Sequence, residues 1–351
     1  MRNTASQLSR RAPVGEGPRP IAVLVDREGL GDVMLKVPFL RALRRAFPEH
    51  PVWWIATHQT SMADDLRPLF GDQVAHAQAH AALDGPAGPL LARLRALPPF
   101  ERVFDSRTKI STVALARFGL THRGFHCCLP GYVFCDGRPP SRARPRHIAA
   151  RMLSLVAAAT GRPPDASGRL EASELAHERA RRLLPDGSTY VGIAPGSRQA
   201  EKNWPMARFC EVAGALAARG LRPVIFLGPM EAQSDAQIQA AAPGAVVVRA
   251  DPTAHPAEAL DRLIAQGQRL SALLANDNGV GHLVGGAGTP VVSLFGPTDP
   301  ARWAPVAPAN LVLRARDFGG GDAIYAIPTQ PVVDAVMTML GLAGTQVPPA
   351  M

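Results

Sequence analysis

The pattern that most restricts this chain is a short apolar run, then a glycine-bearing polar turn, then apolar residues at helical spacing. It begins at Ile21-Ala22-Val23-Leu24-Val25. Five apolar residues without polar alternation read as a strand buried on both faces, as in a parallel sheet. The turn Asp26-Arg27-Glu28-Gly29-Leu30-Gly31-Asp32 follows, and Val33 to Phe47 carries a helical period closed by Pro48. The same order recurs, with strands expected at 51–56, 73–77 and 102–105 and helices at 64–70, 90–97, 111–118, 147–160 and 174–184. A second series starts at Tyr190, with strands at 190–194, 223–227, 245–249, 270–274 and 291–295. Its helices fall at 204–218, 231–241, 256–265, from 282 onward, and at 332–342. Such alternation specifies an α/β fold with largely parallel sheets.

At 351 residues the chain exceeds what one core comfortably organises, so two units are expected. The division drawn from sequence is a flexible tail at 1–18, a first domain at 19–185 and a second at 186–331. The helix 332–342 is expected to pack back on the first domain. The tail has arginines but no apolar stretch of the kind a signal peptide needs. No run is long enough to span a bilayer. The expected location is therefore cytoplasmic, with peripheral contact at the inner membrane left open.

An apolar content of 46% excludes a wholly disordered chain, and four cysteines are too few for a disulfide scaffold. The net charge of +9 is unevenly spread. Residues 1–185 hold 27 Lys and Arg against 16 Asp and Glu, giving +11, whereas residues 186–351 carry −2. A basic first half suits an anionic partner. The segment 138–146, RPPSRARPR, concentrates four arginines among three prolines and reads as a loop. No nucleic-acid recognition motif accompanies the charge, so no nucleic-acid partner is expected.

Four loops at strand ends can carry chemistry. Gly29-Leu30-Gly31-Asp32 lacks the spacing of a dinucleotide fingerprint. Asp32 reads as a helix cap or, in a cleft, as a general base. Pro195-Gly196-Ser197 precedes Arg198 and Lys202, a set that reads as a phosphate contact or as an ordinary loop and cap. Asn276-Asp277-Asn278-Gly279-Val280-Gly281-His282 enters a helix whose N-terminus can receive phosphate without a metal. There Asp277 suits sugar hydroxyls, and His282 reads as a phosphate donor or a cap. In Phe295-Gly296-Pro297-Thr298-Asp299-Pro300, Thr298 can touch phosphate, while Asp299 is a turn acceptor. Glu231 is a candidate for ribose hydroxyls or an exposed helical glutamate. Cys127, Cys128 and Cys135 are a weak metal signal, and neither they nor the histidines form a convincing ligand set.

Three stretches, GLGDVMLKVPFLRALRRAFP at 29–48, APGSRQAEKNWP at 194–205 and NDNGVGHLVGGAGTPVVSLFGPTDP at 276–300, together resemble glycosyltransferase family 9, which includes the lipopolysaccharide heptosyltransferases. The resemblance implies a GT-B fold, two Rossmann-like domains with parallel sheets facing a central cleft. It implies acceptor binding by the first domain and nucleotide-sugar binding by the second. Asp32 matches the general-base position. Ser197, Lys202, Glu231, Asp277, Asn278, Gly279, His282 and Thr298 match or neighbour donor-contacting positions. Arg27, Gly31, His58, Arg142 and Arg144 are acceptor-side candidates. The chain departs from the family at Asn278, where Thr or Ser is usual, and at Asp26-Arg27-Glu28, where Lys with small polar residues is common.

The activity implied is inverting, metal-independent transfer of a sugar, expected to be heptose from ADP-heptose, to a hydroxyl of a lipopolysaccharide core or related anionic glycan. The nucleotide sugar is a substrate, and no cofactor or metal is expected. The alternatives are a non-catalytic nucleotide-sugar binding protein and a sugar-nucleotide epimerase.

Overall fold

The computed structural model describes residues 17–141, 143–231 and 234–342. Residues 1–16 of the expected tail and the candidate Arg142 lie outside the described residues. Two parallel sheets organise the chain. The first contains β1 (Ile21–Val25), β2 (Val52–Ala56), β3 (His76–Gln78), β4 (Phe100–Asp105) and β5 (His122–Cys127), in the order β3-β2-β1-β4-β5. The second contains β6 (Tyr190–Ala194), β7 (Arg222–Leu227), β8 (Val246–Arg249), β9 (Ala272–Asn276), β10 (Val291–Phe295) and β11 (Asn310–Arg314), in the order β11-β10-β9-β6-β7-β8. Every pairing is parallel.

Register places the chemically interesting loops together. Leu24 of β1 stands beside Ile55 of β2 and Asp105 of β4. Ala275 of β9 stands beside Ala194 of β6, and Asn276 beside Leu294 of β10. The loops after β6, β9 and β10 therefore leave one edge of the second sheet, the carboxyl edge where open α/β sheets bind ligands.

The helix expected over 33–47 is two helices, Leu30–Met34 and Val37–Ala46. Pro38 explains the break, since its ring crowds the carbonyl four residues earlier and it donates no N–H. Both sheets have an edge strand that the apolar pattern does not reveal. Four of the six residues of β5 are His, Arg or Gly, and β11, NLVLR, is polar at both ends and too exposed to read as a buried run.

Two packing relations differ from the sequence-drawn division. The terminal helix is Thr329–Met339, and its buried Val332, Val333, Val336 and Met337 share a core with Val191, Phe209 and Leu294. It covers the second sheet instead of crossing back to the first, because its apolar stripe faces helix Met206–Ala217 and β10. Helix Glu174–Leu183 precedes the expected junction yet packs on helix Pro256–Gly267 through Ala176, Ala180 and Ala265. Ser173 adds a hydrogen bond to Asp261 at 2.5 Å, and Arg179 an ion pair to Glu258.

The halves also share apolar contacts. Leu260, Ile264, Leu283 and Ala287 lie in the same core as Val33, Met34, Leu66 and Phe70. Among the described residues, no helix is long and apolar enough to cross a membrane.

Candidate functional site

The loop after β1 is held from inside. Glu28 is buried, with one carboxylate oxygen paired to Lys36 Nζ. The other accepts from Trp54 Nε1 at 2.8 Å and Thr60 Oγ1 at 2.9 Å. The next residue, Gly29, donates its backbone N–H to Asp32 Oδ2 at 2.9 Å. Asp32 thus caps its own short helix, as the sequence allowed. Among the described residues nothing donates to Oδ1, which leaves that oxygen available to a ligand. Capping and base chemistry are compatible here, because they use different oxygens of one carboxylate.

The second-sheet loops are tied to one another by two asparagines. Asn276, at the end of β9, is buried and donates to Pro195 O at 2.5 Å. Asn278 donates to Ala194 O at 3.0 Å and Gly196 O at 2.7 Å, while its Oδ1 caps helix Gly279–Gly286 by accepting from Gly281 N at 2.8 Å. The amide spans the β6 and β9 loops with two donors. A threonine or serine hydroxyl has only one, so this substitution makes a join that the usual residue could not complete. The Asn278 side chain is therefore occupied as a loop tie.

Between these ties sits a charged cluster. Asp277 Oδ2 accepts from Lys202 Nζ at 2.7 Å and from Thr298 Oγ1 at 2.7 Å. Its Oδ1 stands 3.7 Å from His282 Nε2. Burial works against the charged carboxylate, but His282, Lys202 and Thr298 outweigh it and hold the group down at about 2. Asp277 is therefore a fixed anion at neutral pH. His282 is 6% exposed, and its Nδ1 has no hydrogen-bond partner among the described residues. Asn278 caps helix Gly279–Gly286 only at Gly281 N, and among the described residues nothing accepts from the N–H groups of Gly279 and Val280, which suits an anion.

Glu231 closes another side. It ends a short 3₁₀ turn after β7, and its Oε2 accepts from Gly228 N at 3.0 Å. A Cβ on Gly196 would lie 2.7 Å from that oxygen. The glycine of the Pro-Gly-Ser loop is thus required by close approach, and Glu231 stands against the loop that carries Ser197. Ser197 Oγ accepts from Gln199 N at 3.4 Å, a loose turn contact.

The two halves meet at this place. Helix Leu30–Met34 packs against helix Gly279–Gly286, and a Cβ on Gly31 would lie 2.9 Å from His282 Cδ2. A Cβ on Gly279 would lie 3.1 Å from Leu30 Cδ2, and one on Gly286 2.9 Å from Met34 Cε. Small residues on the second helix let the Asp32 turn approach the Asp277 cluster. Gly31→Ala is expected to force the buried His282 ring aside, at a cost of about 1–3 kcal/mol. Thermal melting and turnover report it, and wild-type values for both would remove the close approach.

The acceptor-side candidates fall in different settings. Arg27 is exposed. His58 lies 3.6 Å from Asp26 and 3.5 Å from Asp84, an acidic setting at the end of β2. Arg144 is half-buried and donates to Cys128 O at 2.6 Å, so one end of its guanidinium secures its own loop. The basic segment nevertheless reaches the second half. Arg146 pairs with Asp299 at 2.9 Å, and His147 Nε2 lies 2.9 Å from Ala304 O. Among the described residues no group of three His, Cys, Asp or Glu side chains is placed to hold a metal.

Five structural participants escaped sequence reading: Glu28, Lys36, Asn276 and the buried pair Asp105 and Arg107 at the end of β4. A buried charge needs a partner. The available signal was therefore an acid and a lysine eight residues apart, at the two ends of the turn that carries Asp32.

Comparison with known proteins places this geometry in a family. The sequence model described as glycosyltransferase family 9 (heptosyltransferase) matches residues 100–320. Lipopolysaccharide heptosyltransferase 3 of Escherichia coli is 33% identical over 169 residues, covering 47% of this chain and 46% of that protein. The K12 strain protein of the same name is 34% identical over 120 residues, 33% of each. The chain thus spans about half the length, or less, of the curated relatives it matches.

Solved structures agree over nearly the whole fold. A family 9 glycosyltransferase from Veillonella parvula superposes with a TM-score of 0.65 at 20% identity, covering 93% of this chain and 98% of that one. E. coli heptosyltransferase WaaC with ADP gives 0.62 at 19% identity, covering 91% and 99%. E. coli ADP-heptose heptosyltransferase II gives 0.62 at 19%, covering 91% and 98%. At these identities the likeness establishes a GT-B-like arrangement of two parallel sheets with flanking helices. With that fold in place and the family's sequence model matching well over half its length, the chain belongs to glycosyltransferase family 9 (heptosyltransferase).

Proposed function

We propose that the protein transfers a sugar, with inversion and without a metal ion, from a nucleotide sugar of the ADP-heptose type to a hydroxyl of an anionic lipopolysaccharide-core glycan. The carrying observation is the contact of Gly31 with His282, which sets the Asp32 turn against the Asp277–Lys202–Thr298 cluster. In this reading the two sheets are the halves of a GT-B transferase, and the first half receives the acceptor.

The acceptor hydroxyl gives its proton to Asp32 Oδ1 as its oxygen attacks the anomeric carbon. The bond from that carbon to the diphosphate oxygen breaks, and its electron pair leaves on the phosphate. Lys202 retains protons beyond the one directed at Asp277. Together with the open N–H groups at Gly279 and Val280, it neutralises the departing charge. Asp277 accepts from sugar hydroxyls, Glu231 from the ribose, and Asn278 positions the loops. Arg144 and its loop contribute positive potential on the acceptor side, and the acceptor's lipid brings the enzyme to the inner face of the membrane.

A donor-by-acceptor panel read by mass spectrometry tests this proposal. It pairs ADP-heptose and ADP-, UDP- and GDP-hexoses with truncated lipopolysaccharides. The expected product is an acceptor heavier by one heptose, formed fastest from the ADP donor and slowed by added salt. Donor binding without turnover across the panel would favour a binding protein. Isomerisation of the donor without acceptor would favour an epimerase.

A further inference from the structure

We infer that Glu28 is a positioning residue for Asp32, acting through a buried ionic clasp that fixes the turn between β1 and helix Val37–Ala46; this rests on the assignment of Asp32 as base. The geometry is closed on every side. Glu28 and Lys36 are 3% and 7% exposed and paired, so they fasten both ends of the turn that carries Asp32 at its middle. Trp54 Nε1 and Thr60 Oγ1 complete the carboxylate's partners, joining the clasp to β2 and the turn beyond it. The Glu28 backbone is held as well. Its N–H donates to Gln59 O at 3.0 Å, and its carbonyl accepts from Ser61 N at 3.2 Å. The next N–H in the chain, that of Gly29, holds Asp32 Oδ2. Fixing Glu28 therefore fixes the donor that orients the Asp32 carboxylate.

A buried ion pair is weak evidence for stability, because desolvation offsets its attraction and apolar side chains of similar size often serve as well. Its directional hydrogen bonds do something an apolar pair does not, since they select one loop conformation. At this position the conformation matters, because a general base must lie within hydrogen-bond reach of the proton it removes. Misplacement by about 1 Å can lower turnover by about 10²-fold.

The test is the double variant Glu28→Leu/Lys36→Met in the full chain. It removes both charges together and leaves neither buried alone. Its melting temperature is expected to fall moderately, because Trp54 Nε1 and Thr60 Oγ1 lose their buried acceptor, while Gly29 amide hydrogen exchange accelerates about ten-fold or more and the amides of β1 keep their protection. With ADP-heptose and truncated lipopolysaccharide, kcat is expected to fall about 10²-fold at unchanged donor KM. Unchanged Gly29 exchange in the folded double variant overturns the inference. Wild-type kcat overturns it too, and leaves transfer by the native protein intact. Absence of transfer by the wild type instead defeats the functional reading, and the exchange measurement still decides the clasp. Should the double variant not fold, Thr60→Val removes one donor to Glu28. Smaller changes in the same directions are then expected, and unchanged exchange and kcat would overturn the inference.

Discussion

Asp32→Asn is expected to lower sugar transfer by about 10²–10⁴-fold, the range a positioned general base contributes, while nucleotide binding stays near wild type. The substitution separates the two uses of this side chain. An asparagine carbonyl oxygen can still accept from Gly29 N, which now donates to Asp32 Oδ2 at 2.9 Å. The cap survives, so helix Leu30–Met34 and its packing on helix Gly279–Gly286 survive with it. The loss is confined to the ability to accept a proton from the acceptor hydroxyl. Turnover with ADP-heptose and truncated lipopolysaccharide, read beside nucleotide binding by calorimetry, measures the effect. Wild-type turnover in Asp32→Asn would remove Asp32 as the base. Loss of nucleotide binding with turnover would mean that the turn is required for assembly of the site and not for proton transfer.

Asp277→Asn has the second large effect, of a different kind. Asp277 is the counter-charge of Lys202, and it accepts from Thr298 on the same oxygen. Removing the charge leaves a mostly buried lysine, 18% exposed, without its partner. Breaking a buried pair from one side costs about 3–5 kcal/mol, and residual solvent access to Lys202 places this case toward the lower end. Both melting temperature and donor affinity are expected to fall. The neutral-pH deficit should also shrink in acid.

The direction of that shrinkage follows from linkage. Asp277 is held at about 2 in the folded protein, below the ordinary 3.8. Its contribution is therefore present above pH 4 and is lost as pH falls toward 2. A shift of this size corresponds to about 2 kcal/mol. Thermal melts of both proteins at pH 7 and pH 3 would reveal it as a smaller acid-induced loss in the variant. Equal acid sensitivity would show that the Asp277 cluster does not contribute to stability as its geometry implies.

Much of the architecture was legible because parallel βα repeats write themselves locally. Buried strands such as Ile21–Val25 and Val291–Phe295 are continuous apolar runs, and the turns after them carry glycines and short polar side chains. The misses have local causes as well. The strand β5 is polar enough to hide, Pro38 divides a helix that periodicity alone would continue, and the terminal helix reveals an apolar stripe but not the sheet that receives it. Helix Glu174–Leu183 was assigned by its place in the chain, whereas its alanines are complementary to Ala265 of a much later helix.

The same division runs through the site. The four loop motifs placed Asp32, Lys202, Asp277, His282 and Thr298 at strand ends, since in a parallel sheet a residue just past a strand is delivered to the carboxyl edge. Their roles remain those proposed above. Asn278 has a use that composition does not reveal. A polar residue in a phosphate-friendly loop reads as a ligand contact, and in the fold its amide also ties Ala194, Gly196 and Gly281 together.

The sequence by itself determined the strand–turn–helix repeat, the family resemblance and the identity of the side chains offered at each strand end. All of these follow from residues close together in the chain, where periodicity and turn chemistry act. Only the tertiary structure decided that Glu28 and Lys36 form a clasp, that two asparagines join the second-sheet loops, and that Gly31 lies against His282. Those contacts depend on sheet order, register and helix packing, which bring distant segments within a few ångströms and which no local spacing encodes.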